Sequence, residues 1–413
     1  MSGGRTVGRL DGKTGFLALC AVLLVFPSNS QTVQQSDLYR VRAVAILRTV
    51  PLIDGHNDLA DAIRERGGLD SVNLAVSQPK LMTDIPRLRS GRVGAQFWAA
   101  YVPVTTMDSG AHSAVYALEQ IDLVHRLCAR NARAMAMAYT AADVQRNFAA
   151  GKVSCLIGIE GGHAIENSLG ALRMFYRLGT RYMTLTHWRS LDWAVASTDT
   201  AHRGLSDFGK QVVLEMNRLG MLVDLSHVND QTMSDALHTS RAPVIFSHSS
   251  ARALTNHMRD VPDSILKLVA VNHGVVMVNF NPGFLSEAVR VYGDTVNARL
   301  DRLRAAGAEA DSATRADSLK RWDAAAPHAT LAQAADHIEH IRQICGVDCV
   351  GLGSDFDGIT EVPVGLEDVS KFPDLIAELL RRGWTELDVK KAAGLNTLRV
   401  MRDAERVARE MRR

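Results

Sequence analysis

Charge of one sign is the first thing this sequence does without. Its 47 basic residues stand against 45 acidic ones, leaving a net charge of +2. Much of that excess lies in the first thirty residues, where Arg5, Arg9 and Lys13 face a single acid, Asp11. A nucleic-acid partner would need a clustered basic surface, and the sequence shows none. Long apolar runs are also scarce. The run from Phe16 to Phe26 is about half of the roughly 20 residues that a spanning helix requires. No repeated Cys-x-x-Cys spacing is present, so no structural zinc site of that kind is expected. Leu19 before Cys20 is not a small residue, which argues against a lipoprotein site. The charged end, Arg402 to Arg413, lacks a hydrophobic tail, so no GPI signal is expected.

What is present begins with an export signal. Basic residues precede the apolar run, and Ser28-Asn29-Ser30 offers small residues at the −3 and −1 positions of a cleavage site. The expectation is a signal peptide over residues 1–30 and a secreted or periplasmic protein with no stable membrane anchor. An uncleaved anchor is the alternative. Export permits disulfides, and Cys128, Cys155, Cys345 and Cys349 allow three pairings. Cys345 and Cys349 flank Gly346-Val347-Asp348, a turn into a strand, and are not expected to bridge.

The 413 residues, 46% of them hydrophobic, suffice for one large core or two modest ones. Internal repeats and low-complexity linkers are absent, so residues 31–413 are taken as a single domain. Within it, eight short apolar runs alternate with helix-like stretches. They are Val50–Asp54, Ala95–Val102, Val153–Ile159, Tyr182–Thr186, Met221–Leu225, Pro243–Phe246, Val275–Phe280 and Cys349–Gly353. The polar and aromatic mix of the second also reads as a loop. This rhythm predicts an α/β fold with a parallel sheet, and eight units over this length suit a closed (β/α)8, TIM-type barrel. A polar, partly helical lead-in precedes the first strand from Gln31 to about Arg48. A charged helical insertion over 297–328 separates the last two strands.

Polar residues stand where the apolar runs stop. These are His56 and Asp58, Glu160, His187, His227, His248, and Asp355 with Asp357. In such a barrel the strand ends converge on one face, where active sites are built. Four histidines and at least three carboxylates suit zinc or a similar divalent ion. His56 and Asp58, two apart on an extended strand, point the same way and can grip one ion. One ion rarely takes so many ligands. Two ions sharing a carboxylate would use them and polarise a bridging water, with Glu160 the natural bridge. Any one of these histidines alone reads as a surface or hydrogen-bonded residue. Asp357, before Gly358, reads as a turn-former, and His163 as a helix cap. Their conjunction is what packing does not explain, because unpaired buried imidazoles and carboxylates cost several kcal/mol.

Together with Asp54-Gly-His-Asn-Asp58, Gly94-Ala-Gln-Phe-Trp98, Gly158-Ile-Glu-Gly-Gly-His163, Thr184-Leu-Thr-His187, Val223-Asp-Leu-Ser-His227, Phe246-Ser-His-Ser-Ser250, Gly353-Ser-Asp-Phe-Asp-Gly358 and Gly365-Leu-Glu-Asp-Val-Ser-Lys371, the chain from about Leu52 onward resembles the membrane (renal) dipeptidases, peptidase family M19. The resemblance implies a zinc-dependent dipeptidase with two Zn2+ per chain. His56 and Asp58 would hold one zinc, His227 and His248 the other, with Glu160 between them. It implies Asp355 as catalytic acid/base, His187 as the residue contacting the scissile group, and Arg259 as the clamp on the substrate carboxylate. A metal-bridging hydroxide would attack the peptide carbonyl. A homodimer is implied by the resemblance alone. Two alternatives stand: a related binuclear hydrolase acting on lactams, N-acyl amino acids or esters, and a non-catalytic exported binding protein. The segment after His187, Trp188-Arg-Ser-Leu-Asp-Trp193, lacks the cysteine that animal members carry there.

Overall fold

The computed structural model describes residues 29–108, 112–305 and 326–413. The expected signal peptide and most of the 297–328 insertion lie outside the described residues. Nine strands form among the described residues: β1 (Leu52–Asn57), β2 (Val93–Tyr101), β3 (Met135–Met137), β4 (Val153–Glu160), β5 (Thr180–Thr184), β6 (Leu222–Asp224), β7 (Ile245–Phe246), β8 (Val275–Val278) and β9 (Val350–Leu352). Every pairing is parallel. The order runs β2-β1-β9-β8-β7-β6-β5-β4, and a β2–β4 pairing closes it into an eight-stranded barrel. All eight expected runs are barrel strands, including the second, whose residues pair with β1 and β4 on either side.

β3 was not expected. It lies beside the first residues of β4, Met135 opposite Val153, while β5 takes that edge of β4 further along, Thr184 opposite Glu160. Three residues carry too little pattern to read as a strand.

Helices follow the strands and cover the barrel's outside. Asp207–Leu219 is typical: Ser206 caps it by accepting from the Gly209 N–H, Gly220 ends it in the left-handed region, and Val212, Val213 and Met216 are buried. The lead-in is a helix over Asn29–Leu47, tied to Phe372–Arg381 by Arg40 and Asp374 at 2.6 Å. No helix among the described residues is long and apolar enough to cross a membrane.

Inside the barrel the lower layer is apolar. Ile53, Phe97, Leu156, Leu222, Ile245, Val275 and Met277 form one buried cluster with Leu398, Met401 and Ala404 of the helix Asn396–Met411. Each large apolar side chain buried this way contributes about 1.5–3 kcal/mol. That layer is the floor on which the polar mouth stands.

Cys345 and Cys349 are joined in a disulfide, against expectation, with Cα atoms 5.8 Å apart. The helix Leu331–Cys345 stops at Gly346, whose φ of 92° turns the chain back. One 3-10 turn, Val347–Cys349, then brings the second sulfur to the first. Cys128 and Cys155 are reduced, buried and in contact with each other.

Candidate metal centre

The strand-end residues named from sequence meet at the C-terminal mouth. Glu160, last residue of β4, is buried and shared between two groups. Its Oε2 lies 3.5 Å from His56 Nε2. Its Oε1 lies 3.0 Å from His227 Nε2, 3.4 Å from His248 Nε2 and 3.7 Å from His187 Nε2. His56 Nε2 is also 3.3 Å from Asp58 Oδ2. One carboxylate therefore faces a His–Asp pair through one oxygen and a cluster of imidazoles through the other. Donor atoms within 4.8 Å of one another fall into three sets: His56, Asp58 and Glu160; Glu160, His187 and His227; and His56, His248 and Asp355.

Neighbours aim these side chains. Ser247 Oγ donates to Asp224 Oδ2 at 2.6 Å, so it is free to accept from His248 Nδ1 at 2.8 Å. That fixes the His248 proton on Nδ1 and leaves Nε2 as a bare lone pair facing the mouth. Tyr182 Oη sits 2.7 Å from His56 Nδ1. Gly158 makes this possible, because a Cβ there would come within 1.9 Å of the Tyr182 ring. Asp54, buried beneath, accepts from Ser354 N–H and Oγ–H at 2.7 and 2.6 Å and so locks β1 to β9. The Asp355 carboxylate is steadied by Asn279 Nδ2 at 2.9 Å. His227, Asp355 and Asp357 all hold positive φ, at 68°, 65° and 65°. For residues other than glycine that is a strained conformation, and it clusters here at the mouth.

The electrostatics favour ligation. Burial drives His227 and His248 well below the ordinary imidazole range and takes His187 down to about 4. All three are neutral near pH 7, the form that binds metal. Against the effect of its own burial, Glu160 is held well below the usual carboxylate range, chiefly by His56, whose own imidazole is, also against burial, raised well above its ordinary range by Tyr182, Asp58 and Glu160. Burial pushes the Asp355 carboxyl up to about 7, opposed by His56 and reinforced by Asp58 and Glu160. His56 Nε2 and Asp58 Oδ2, which face each other at 3.3 Å, are buried without a hydrogen-bond partner. Buried orphan donors on such a set fit a divalent cation.

Two other residues singled out from sequence have structural work. Asp357 accepts from Met82 N–H at 2.7 Å in its turn, as expected of a turn-former. His163 lies in a 3-10 turn with Nε2 3.1 Å from the Val102 carbonyl and belongs to none of the three donor sets.

The mouth opens into a cavity of about 380 Å3. Arg259 enters it from beyond β7. It is buried, with Nη1 donating to Ser249 Oγ and Nη2 to the His248 carbonyl, both at 3.3 Å. Its Nε has no partner, and no carboxylate pairs with it among the described residues. The guanidinium lies 5.9 Å from the Trp188 ring and 5.4 Å from that of Phe284. Sequence reasoning missed Tyr101, Trp188 and Phe284 as cavity walls, and Tyr182, Ser247 and Asn279 as supports. The supports were findable. Each lies in or just beyond a strand, and the strand's period of two turns it inward.

A parallel eight-stranded barrel whose mouth gathers neutral imidazoles around a shared carboxylate is the construction of a metal-dependent hydrolase. Comparison narrows the class. Residues 40–413 match the family model of membrane dipeptidase, peptidase family M19. The chain is 41% identical over 376 residues to dipeptidase 3 of Mus musculus, spanning 89% of this chain and 67% of that protein. Its fold superposes on the probable dipeptidase PvdM of Pseudomonas aeruginosa with a TM-score of 0.76, at 22% identity over 90% of this chain and all of that one. It also matches a metallopeptidase from Rhodobacter sphaeroides, liganded with a phosphinate mimic of the dipeptide L-Ala-D-Ala. There the TM-score is 0.68, at 27% identity over 86% of this chain and 99% of that one. The chain belongs to the membrane dipeptidases of peptidase family M19, a family of metallo-dipeptidases.

Proposed function

We propose that this chain hydrolyses free dipeptides with two divalent ions, zinc in our reading. His56 and Asp58 would hold one ion, His227 and His248 the other, with Glu160 shared. When bound, the pair would supply Lewis acidity and bring the pKa of a water at the site down to roughly 7. The protein's own groups do the rest. Asp355, held through Oδ2 by Asn279, takes the proton of the attacking water and returns it to the leaving amine. His187, neutral, donates a hydrogen bond to the carbonyl oxygen as it becomes negative. Arg259 grips the terminal carboxylate of the substrate.

The observation that carries this reading is Arg259. A buried guanidinium without a carboxylate, in the same cavity as the donor sets, is costly unless an anionic ligand completes it. The match to a relative bound to a dipeptide mimic supports the same substrate class. Export to a secreted or periplasmic compartment belongs to this proposal too, supported by the basic-apolar N-terminal sequence and by the Cys345–Cys349 disulfide.

The test combines metal analysis of purified protein with turnover of Ala-Ala, its L,D isomer and its C-terminal amide, with and without chelator. The expected result is about two zinc per chain and chelator-sensitive cleavage of the free dipeptides. The amide should be slower by at least about a hundredfold, as befits a lost charge-assisted bidentate contact. Metal-loaded protein that cleaves the amide as well as the acid would remove Arg259 from its role. Metal-loaded protein that cleaves neither would remove the dipeptidase reading.

A further inference from the structure

The cavity is not electrically symmetric. Arg259 stands above β7. Further round the mouth, above β1 and β9, the wall is acidic. In the barrel's order β1 and β7 are separated by β9 and β8 on one side and by β2, β4, β5 and β6 on the other, so the two walls stand apart around the mouth. The acidic wall is built by the helix Leu59–Glu65 that follows β1. Asp61 and Glu65 lie four residues apart on it and so share a face. Both line the cavity, with Asp357 beside them.

Asp61 and Glu65 have no cation of their own, and the Arg87 that acts on Asp357 is committed to Asp84 and Asp368. Asp61 accepts only from neutral donors, Gln120 Nε2 at 2.9 Å and Tyr116 Oη at 3.5 Å. The nearest cation on the helix, Arg64, is committed to Glu119 at 2.6 Å and lies over the Tyr116 ring. Glu65 makes no ion pair among the described residues. Asp357 spends Oδ1 on the Met82 N–H, while Oδ2 is buried without a hydrogen-bond partner.

Six carboxylates line the cavity (Asp58, Asp61, Glu65, Glu160, Asp355 and Asp357) against one guanidinium. Asp58 and Glu160 are assigned to the metal ions and Asp355 to proton transfer, which leaves Asp61, Glu65 and Asp357 without a role. A dipeptide with a neutral first side chain is a zwitterion and brings no net charge. One with lysine or arginine first brings a cation for them. With its carboxylate on Arg259 and its carbonyl at the donor sets, that side chain extends toward Asp61 and Glu65.

We infer that Asp61, Glu65 and Asp357 form a subsite for a cationic first-residue side chain, and that the enzyme prefers Lys-X and Arg-X dipeptides. This rests on the dipeptidase reading and adds a substrate class to it. Opposite charges meeting in a partly desolvated cleft favour the bound form by about tenfold or more.

The experiment compares kcat/KM of the metal-loaded protein for Lys-Ala, norleucine-Ala, Ala-Ala and Glu-Ala. Norleucine has the stem of lysine without its charge, and all four share the same α-ammonium. Lys-Ala should exceed norleucine-Ala by about tenfold, chiefly through KM, and the ratio should shrink several-fold between about 0.05 and 0.5 M salt. Asp61→Asn and Glu65→Gln should each lower the ratio, and Glu65→Lys should turn the preference toward Glu-Ala. Glu65 is exposed, so its variants keep the test open if Asp61→Asn folds poorly. Equal turnover of Lys-Ala and norleucine-Ala with Ala-Ala cleaved would overturn the subsite and leave the dipeptidase standing. A Lys-Ala preference that survives Asp61→Asn and Glu65→Lys would also overturn it. Cleavage of none of the four would overturn both.

Discussion

Leu156 and Glu160 lie four residues apart on β4, on the same inward face of the barrel, and do opposite things. Leu156 packs with Phe97, Leu222 and Val275 in a layer without polar groups to satisfy. Glu160 stands beside His56 and Asp58, each with a buried donor atom that finds no hydrogen-bond partner. The same split recurs on other strands: Leu222 below Asp224, Ile245 below Ser247, Val275 below Asn279. Of the seven non-glycine residues at positive φ among those described, three are His227, Asp355 and Asp357 at the mouth. The lower layer stabilises the fold. The upper layer is strained and incompletely satisfied by the protein alone, and persists because the floor and outer helices hold it in place. Stability and chemistry are thus divided along the barrel axis, and substitutions in the two layers should fail differently.

The largest effect is expected in the upper layer. Asp355→Asn keeps the shape and the Asn279 contact but cannot carry a proton, so kcat should fall by about 10²–10⁴-fold. Metal content and thermal midpoint should stay near wild type. Steady-state kinetics with metal analysis decides it, and a kcat close to wild type would take the proton-carrying role away from Asp355. The counterpart below is Phe97→Ala. Removing that fully buried ring should cost about 3–5 kcal/mol in denaturant unfolding. KM and metal content of the folded fraction should not move. If metal affinity drops along with stability, the two layers are not separable and the contrast fails.

Tyr182→Phe probes the seam between them. Tyr182 packs against Phe97 below, with ring centroids 5.0 Å apart, and meets His56 Nδ1 above. Phenylalanine keeps the packing and removes only the hydroxyl. The expected outcome is a metal affinity about 10–100-fold weaker, typical of losing a partner that orients a metal-binding histidine, with little change in unfolding. Metal titration against a competing chelator measures it. Unchanged affinity would mean that His56 is aimed by Asp58 and Glu160 alone.

The same division explains what was legible in the sequence. The barrel was legible because its strands are covered on both faces and read as continuous apolar runs, and the donors because they interrupt those runs at the top. β3 was not, since Met135–Met137 is short and flanked by helices that dominate the pattern. Nor were Asp224 and Ser247 as a pair that fixes the His248 proton, because they come from different strands and meet only through register. Asp61 and Glu65 end no apolar run, so nothing in the sequence set them apart. Only closure of the barrel turns their shared helix face into a wall of the cavity. The disulfide was hidden for a similar reason: Gly346 had to be seen reversing the chain before four residues of separation became a bonding distance.

That disulfide gives the smallest predicted effect and the most discriminating one. The bridge closes only a short loop, so the chain-entropy argument assigns it at most about 2 kcal/mol. It also lies at the entry of β9, while Asp355 stands beyond the strand's exit. Cys345→Ser with Cys349→Ser should therefore lower the denaturation midpoint slightly and leave kcat/KM for a dipeptide as it was. Should kcat/KM fall while stability holds, strain at the bottom of β9 would be reaching Asp355 through the strand. The axis would then join the two layers rather than divide them.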